Sequence, residues 1–168
     1  MTTQAFLGLG SNLGDRLGNL TRAVSLLGRG DAIRVVRSSR VYETDPVGGP
    51  TQPDYLNAVI EADTTLDEPR ALLERCLDVE REMGRVREER WGPRLIDIDV
   101  LTFDDLEVDE PGLTLPHPRM HERGFVLVPL LELVADPVLP GGRRLKDLRL
   151  SADTFGGVRL FGPPLATG

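Results

Sequence analysis

Leu95-Ile96-Asp97-Ile98-Asp99-Val100-Leu101-Thr102-Phe103 reads as a β-strand, rich in β-branched and aromatic residues. Strand side chains alternate, so Asp97 and Asp99 share one face while Ile96, Ile98 and Val100 share the other. Leu101 and Phe103 continue the aspartate face as apolar residues, which predicts that this face becomes core farther along. Working back from the strand, Asp67-Glu68-Pro69 carries the acids and proline of a helix start. Leu72, Leu73, Cys76, Val79 and Met83 then form an apolar stripe at helical spacing, and Gly84 stops it. Farther back, Ile33 to Tyr42 and Tyr55 to Thr65 read as strands around Thr44 to Asp54, a loop with three prolines and two glycines in eleven residues.

At the N-terminal side, Ala5 to Leu9 reads as a short buried strand. Gly10-Ser11-Asn12-Leu13-Gly14-Asp15 follows as a turn with helix-start chemistry. Leu17, Leu20, Val24 and Leu27 recur behind it at helical spacing, and Gly28 and Gly30 end that helix. The resulting order, β-α-β-β-α-β, predicts an α+β sandwich of ferredoxin-like topology, an antiparallel sheet with helices packed on one face. On the C-terminal side come a loop of acids, prolines and glycine, then Phe125 to Val134, read as a short helix after a strand-like start. Residues 141–168 are Gly-, Pro- and Arg-rich and poorly patterned. The length of 168 residues suits one domain over 1–168.

Composition narrows the function. The net charge of −7 argues against general nucleic-acid affinity, although it leaves room for a local basic site. The single cysteine, Cys76, excludes an intrachain disulfide. The N-terminus lacks the basic and apolar regions of a secretory signal. Phe125 to Val134 holds Pro129 and Glu132 and is too short to span a bilayer. A cytoplasmic protein is expected, monomeric or at most a weak dimer, with no nucleic-acid or membrane partner.

The aspartate pair carries the chemistry. Asp97 and Asp99 stand about 7 Å apart at the backbone, twice the strand rise, so their carboxylates can converge on one or two hard cations. Mg²⁺ suits carboxylate oxygens together with substrate phosphates. Arg85, Arg87, Arg90 and Arg94 crowd the segment just before, in an otherwise acidic chain. Arginines beside paired acids are what a metal–polyphosphate site needs. Trp91, the only tryptophan, offers a flat face for a planar ring. Glu80 falls within the apolar stripe of its helix, and an inward carboxylate wants an arginine or a ligand as partner.

Two other motifs are set aside. Gly8-Leu9-Gly10-Ser11-Asn12-Leu13-Gly14 has one residue too many for GxGxxG and lacks a P-loop lysine, so it reads as a structural turn. His117 and His121 have an i, i+4 spacing, but Pro116 and Pro118 flank His117 and prevent a regular helix. His117, near Arg119 and Arg123, can contact phosphate. From the residues alone, three readings stand: a metal-dependent phosphoryl-type transferase, a non-catalytic ligand-binding domain, and a Mg²⁺-dependent nuclease or phosphohydrolase.

Several segments together resemble the pterin pyrophosphokinases. They are Leu9-Gly10-Ser11-Asn12-Leu13-Gly14-Asp15-Arg16, Tyr42-Glu43-Thr44-Asp45-Pro46-Val47-Gly48, and Pro53-Asp54-Tyr55-Leu56-Asn57-Ala58. Farther on come Gly84-Arg85-Val86-Arg87, Arg90-Trp91-Gly92-Pro93-Arg94-Leu95-Ile96-Asp97-Ile98-Asp99, and Leu115-Pro116-His117-Pro118-Arg119-Met120-His121-Glu122-Arg123-Gly124-Phe125. The resemblance runs from about residue 5 to about 140.

It implies transfer of pyrophosphate from MgATP to 6-hydroxymethyl-7,8-dihydropterin, with ATP as co-substrate, two Mg²⁺ ions, and AMP leaving. It implies Asp97 and Asp99 as metal ligands, with Arg85 and Arg94 beside them as catalytic residues. Thr44, Val47, Tyr55, Asn57, Trp91 and Phe125 match the pterin pocket. Glu80, Arg87, Arg90, Ile98, Thr114, His117 and Arg123 match the nucleotide side. Two residues, Glu88 and Glu89, separate Arg87 from Arg90, where some relatives have one more.

Overall fold

The computed structural model describes residues 1–46, 51–84, 94–137, 139–144 and 156–167. Strand β1 (Thr3–Ser11) leads to helix α1 (Arg16–Leu27), whose first turn is capped by Asp15 accepting from the Gly18 amide at 3.0 Å. Strands β2 (Ile33–Ser38) and β3 (Val41–Thr44) follow, then β4 (Tyr55–Thr64). Helix α2 (Pro69–Glu82) has its proline in the first turn and stops at Gly84, which takes the left-handed φ of +83° that ends helices. Strand β5 (Asp97–Phe103) completes the expected order, with β2 and β3 standing where the sequence reads one strand.

All the pairings are antiparallel, in the order β5-β1-β4-β3, with β2 also on β4. Strands β2 and β3 lie end to end against one partner, so they occupy a single position and the sheet order is that of the ferredoxin-like fold. The core sits between the sheet and α1 and α2. Ala5, Leu7 and Leu9 of β1, with Ile98 and Val100 of β5, meet Leu20, Val24 and Leu27 of α1 and Leu72, Cys76 and Val79 of α2. Each such leucine contributes about 1.5–3 kcal/mol by leaving water.

The structure corrects the sequence reading in several places. Leu17, placed on the inner stripe of α1, is 43% exposed, and Ala23 packs inward with Leu20, Val24 and Leu27. The acidic loop after β5 contains a hairpin of β6 (Val108–Glu110) and β7 (Leu113–Leu115). The poorly patterned tail contributes β8 (Val158–Gly162), which extends the sheet beside β3. Leu101 and Phe103 do not share a face. The register against β1 shifts between Phe6 and Leu7, and the shift turns β5 over. Leu101 joins a second cluster, whereas Phe103 joins the core under α1 and α2.

That second cluster covers the other face of the sheet, so the helices are not confined to one side. Helix α3 (Gly124–Leu133) packs Val126, Leu127 and Leu130 against Phe6, Val59 and Leu101. Its C-terminal end is tied to β3, where the Tyr42 hydroxyl donates to Glu132 and the Arg40 amide donates to the same carboxylate at 2.9 Å. Burial raises the Glu132 carboxyl, but the Tyr42 and Arg40 hydrogen bonds outweigh it and hold it below the ordinary range.

Candidate active site

Beside α3 on the second face, β5, β1, β4 and β3 run side by side. Asp97 pairs with Gly10, Gly10 with Asn57, and Asn57 with Tyr42. Directly opposed residues share a face. These four therefore form one row, with Asp99, Gly8 and Val59 in the next. Two inter-strand spacings separate Asp97 from Asn57, so the glycine at the centre leaves a slot about 10 Å wide at the backbone. A Cβ on Gly10 would stand 2.8 Å from Asn57 Nδ2 and 3.4 Å from the Tyr55 ring. Thr44 donates its hydroxyl to Asn57 Oδ1 at 2.5 Å, and the Asn57 amide faces the Leu9 carbonyl at 3.4 Å. Asn57 is thereby held with its amide edge beside the slot. Phe125, half-buried, stands near the start of α3 against the same cluster, with the Arg123 guanidinium 5.5 Å from its ring centre.

A second concavity of about 270 Å³ wraps the outer edge of β5. Ile98, Asp99, Thr114, His117 and Pro118 line it, with Leu73 of α2. Ile98 faces the helices and Asp99 the opposite side, so the cleft reaches Asp99 while its neighbour on that face, Asp97, borders the slot. Glu80 is buried, and its Oε2 accepts the Ile98 amide at 3.1 Å. A carboxylate from α2 thus holds the sheet-edge strand at the cleft wall, which accounts for an acid on an apolar stripe.

His117 is fixed by its backbone amide donating to the Leu101 carbonyl at 2.8 Å. Its Nδ1 accepts the Arg119 amide at 3.2 Å, so in the neutral ring Nε2 carries the proton. Burial first, then Arg123 and Arg119, lower its pKa from 6.5 to about 4. It is a neutral hydrogen-bond donor near pH 7, not a cation. His121 stands apart from it, its ring facing Arg143 at 3.3 Å.

Arg94 is buried, with its guanidinium Nε 3.8 Å from Asp97 Oδ2. Its position is set by Asn12. The Arg94 amide donates to Asn12 Oδ1 at 2.7 Å, and the Asn12 amide donates to the Arg94 carbonyl at 2.9 Å. The same side chain donates through Nδ2 to Gln52 Oε1 and to the Pro53 carbonyl, both at 2.9 Å. Buried Asn12 therefore links the approach to β5 with the approach to β4.

Of the residues expected at a site, the structure gathers Thr44, Tyr55, Asn57, Arg94, Asp97 and Asp99 around the slot. Ile98, Thr114 and His117 come together in the cleft, with Glu80 behind it. Phe125 and Arg123 stand at the start of α3. Val47, Arg85, Arg87, Arg90 and Trp91 lie outside the described residues. Three contributors were missed. In the sequence reading the strand ends at Leu9 and a turn opens at Gly10, but β1 runs on to Ser11, and Gly8 and Gly10 are both strand residues that clear the slot. Their spacing of two, on the face opposite Leu7 and Leu9, was the available signal. Asn12 carried no signal, because its three partners come from distant segments.

The arrangement joins a polar slot fit for a flat ring to a separate cleft through two carboxylates. The family described as 7,8-dihydro-6-hydroxymethylpterin-pyrophosphokinase (HPPK) matches residues 6–135. A Methylorubrum extorquens protein named 2-amino-4-hydroxy-6-hydroxymethyldihydropteridine pyrophosphokinase is 47% identical over 154 residues, covering 92% of this chain and 96% of its own. The Bacillus subtilis protein of the same name is 47% identical over 133 residues, 79% of each chain. Among solved structures, an HPPK-DHPS in complex with substrates aligns with a TM-score of 0.63 at 13% identity over 92% of this chain. Wild-type Plasmodium falciparum HPPK-DHPS with STZ-DHP aligns with a TM-score of 0.60 at 16% identity over 78%. The chain covers 43% and 39% of those two solved chains, less than half their length, and at these identities they speak for the fold alone. With a family match over most of its length and relatives at 47% identity, the chain belongs to the 7,8-dihydro-6-hydroxymethylpterin-pyrophosphokinase family.

Proposed function

We propose that this protein transfers pyrophosphate from MgATP to 6-hydroxymethyl-7,8-dihydropterin, giving the pterin diphosphate and AMP, a step of tetrahydrofolate biosynthesis. The observation that carries this reading is that Asp97 borders the slot and Asp99, two residues along the same strand face, lines the cleft. A donor bound in one and an acceptor bound in the other would present their reacting atoms to the same two carboxylates.

In this reading the pterin lies in the slot. Asn57 and Thr44 read its polar edge, and Tyr55 and Phe125 cover it, with Val47 and Trp91 completing the pocket. The nucleotide lies in the cleft against Ile98 and Thr114, with Glu80 fixing the wall. Its phosphates run towards the aspartates, where Arg85, Arg87, Arg90, Arg94 and Arg123 neutralise them. Neutral His117 donates a hydrogen bond through Nε2. The hydroxymethyl oxygen forms a bond to the β-phosphorus and gives up its proton to solvent, and the bond from that phosphorus to the oxygen bridging to the α-phosphate breaks. AMP carries the electron pair away.

The aspartates fit Mg²⁺. They are hard oxygen donors on one face, and Gly8 and Gly10 opposite them present no Cβ into the space between. Two ions held by Asp97 and Asp99 would supply charge neutralisation for the transferring group. A cytoplasmic, monomeric protein completes the reading. The test is direct. ATP and 6-hydroxymethyl-7,8-dihydropterin together should yield AMP, resolved from ADP by chromatography; formation of ADP, or no turnover, overturns the function.

A further inference from the structure

The family match ends at residue 135, yet β8 brings the chain back to the substrate end of the sheet. There Arg159 meets three acids. Its Nη1 donates to Asp45 Oδ1 at 2.9 Å, its Nη2 donates to Asp54 Oδ2 at 2.9 Å, and Glu43 Oε1 lies 3.5 Å from Nη2. The β3–β4 ladder ends at the pair Thr44 and Tyr55. Asp45 and Asp54 are the next residues outward on each chain, where backbone pairing has stopped. Arg159 carries the pairing one step farther through side chains. Three more bonds brace it: the Asp45 amide donates to the Gly157 carbonyl at 3.0 Å, and Arg16 donates to Glu43 at 2.8 Å and to the Asp54 carbonyl at 3.0 Å.

A single exposed ion pair contributes little, and Arg159 is 46% exposed. The arrangement matters because three carboxylates on adjacent strands face one another. Like charges so placed push the strands apart, and here one guanidinium converts that repulsion into a clamp. We propose that Arg159 is a positioning residue for the pterin pocket, holding Asp45 and Asp54 together and so fixing the spacing of Thr44 and Tyr55 without touching the substrate. The proposal rests on the reading of the slot beside Asn57 as the pterin site. It makes pterin affinity depend on a strand outside residues 6–135, the segment that the family model matches.

The experiment is steady-state kinetics of AMP release for wild type, Arg159→Ala and Arg159→Lys, with calorimetric binding of the pterin in a non-hydrolysable ATP analogue. Losing three surface-scale pairs should raise the pterin KM and Kd about tenfold in Arg159→Ala, while the KM for ATP stays within about twofold. Arg159→Lys, with one point charge in place of a fork, should recover less than half of the loss on a logarithmic scale. Raising ionic strength should weaken pterin binding in wild type and leave Arg159→Ala flat. If Arg159→Ala does not fold, Asp54→Asn reads the same clamp from its other side and should raise the pterin KM several-fold. Wild type that turns over, with pterin KM and Kd unchanged in the variants or with KM for ATP rising equally, overturns the clamp and leaves the function standing. Wild type that neither binds pterin nor releases AMP overturns both.

Discussion

Gly10 lies directly opposite Asp97 on the neighbouring strand, and a Cβ added to it would come within 2.8 Å of Asn57 Nδ2. The floor of the slot is therefore bare backbone, held between a carboxylate on one side and an amide on the other. Gly10→Ala should displace Asn57, breaking its geometry with Thr44, at the cost of about 1–3 kcal/mol typical of overpacking. The expected outcome is a rise of at least about tenfold in the pterin KM, with the KM for ATP less affected. Gly8→Ala, whose added Cβ would meet Leu101 at an ordinary 3.6 Å, should be milder.

Asp97→Asn and Asp99→Asn keep the shape of the strand and remove one negative charge each. Turnover should fall by about 10²–10³-fold or more, the scale of losing one group that organises transition-state charge. The thermal midpoint should hold in Asp99→Asn, whose half-exposed side chain is relieved of repulsion from Asp97, and should fall in Asp97→Asn, which takes a counter-charge from buried Arg94. AMP release and a melting curve on the same preparation check the two halves of this expectation.

Asn12 bonds to both approaches of the site, and its two substitutions separate them. Asn12→Ala strips the buried Arg94 amide of its acceptor and should cost about 1–3 kcal/mol, read as a lower urea midpoint. Asn12→Asp keeps the acceptor for Arg94 and loses the donor to Gln52 and Pro53. It should retain more stability than alanine while still losing activity. Equal stability in the two variants would show that the Arg94 bond is not the one that matters.

His117 makes stability depend on pH. Its pKa is 6.5 in the unfolded chain and about 4 in the fold, so the unfolded state takes up the proton first. Its contribution is complete above about pH 6.5 and is lost as the pH falls towards 4, about 2 kcal/mol of it by pH 5. Urea unfolding of wild type and His117→Gln at about pH 7.5 and about pH 5 checks this. The difference between the two proteins should shrink or reverse at the lower pH.

Much of this was legible in the chain because it is local. The alternation of Asp97 and Asp99 with Ile98 and Val100 depends on strand geometry alone. The stripe of Leu72, Cys76 and Val79 likewise depends on helix geometry alone. What could not be read came from pairing between distant segments. Phe103 changes face because β5 and β1 slip register at Phe6 and Leu7, which neither strand shows by itself. Glu80 looked like a ligand contact or an ion-pair member, but its inward direction also serves an amide of the edge strand. The β8 strand has little period of its own and becomes a strand because β3 offers it a partner. The resemblance carried the pterin and ATP, which no periodicity could supply.

The slip at Phe6 and Leu7 does more than re-aim one side chain. It divides β5 into a reactive half bearing the aspartates and an anchoring half bearing Phe103, joined through a bulge that takes up slack. Such a joint leaves one residue outside the pairing ladder, so the two halves are not locked in a single continuous register. Repacking around Phe103, or a change in the turn at Asp104 with its φ of +53°, would meet this break in the ladder before it reached Asp97. An enzyme built this way can be stiffened or loosened at one end of its catalytic strand while the alignment of the other end is conserved.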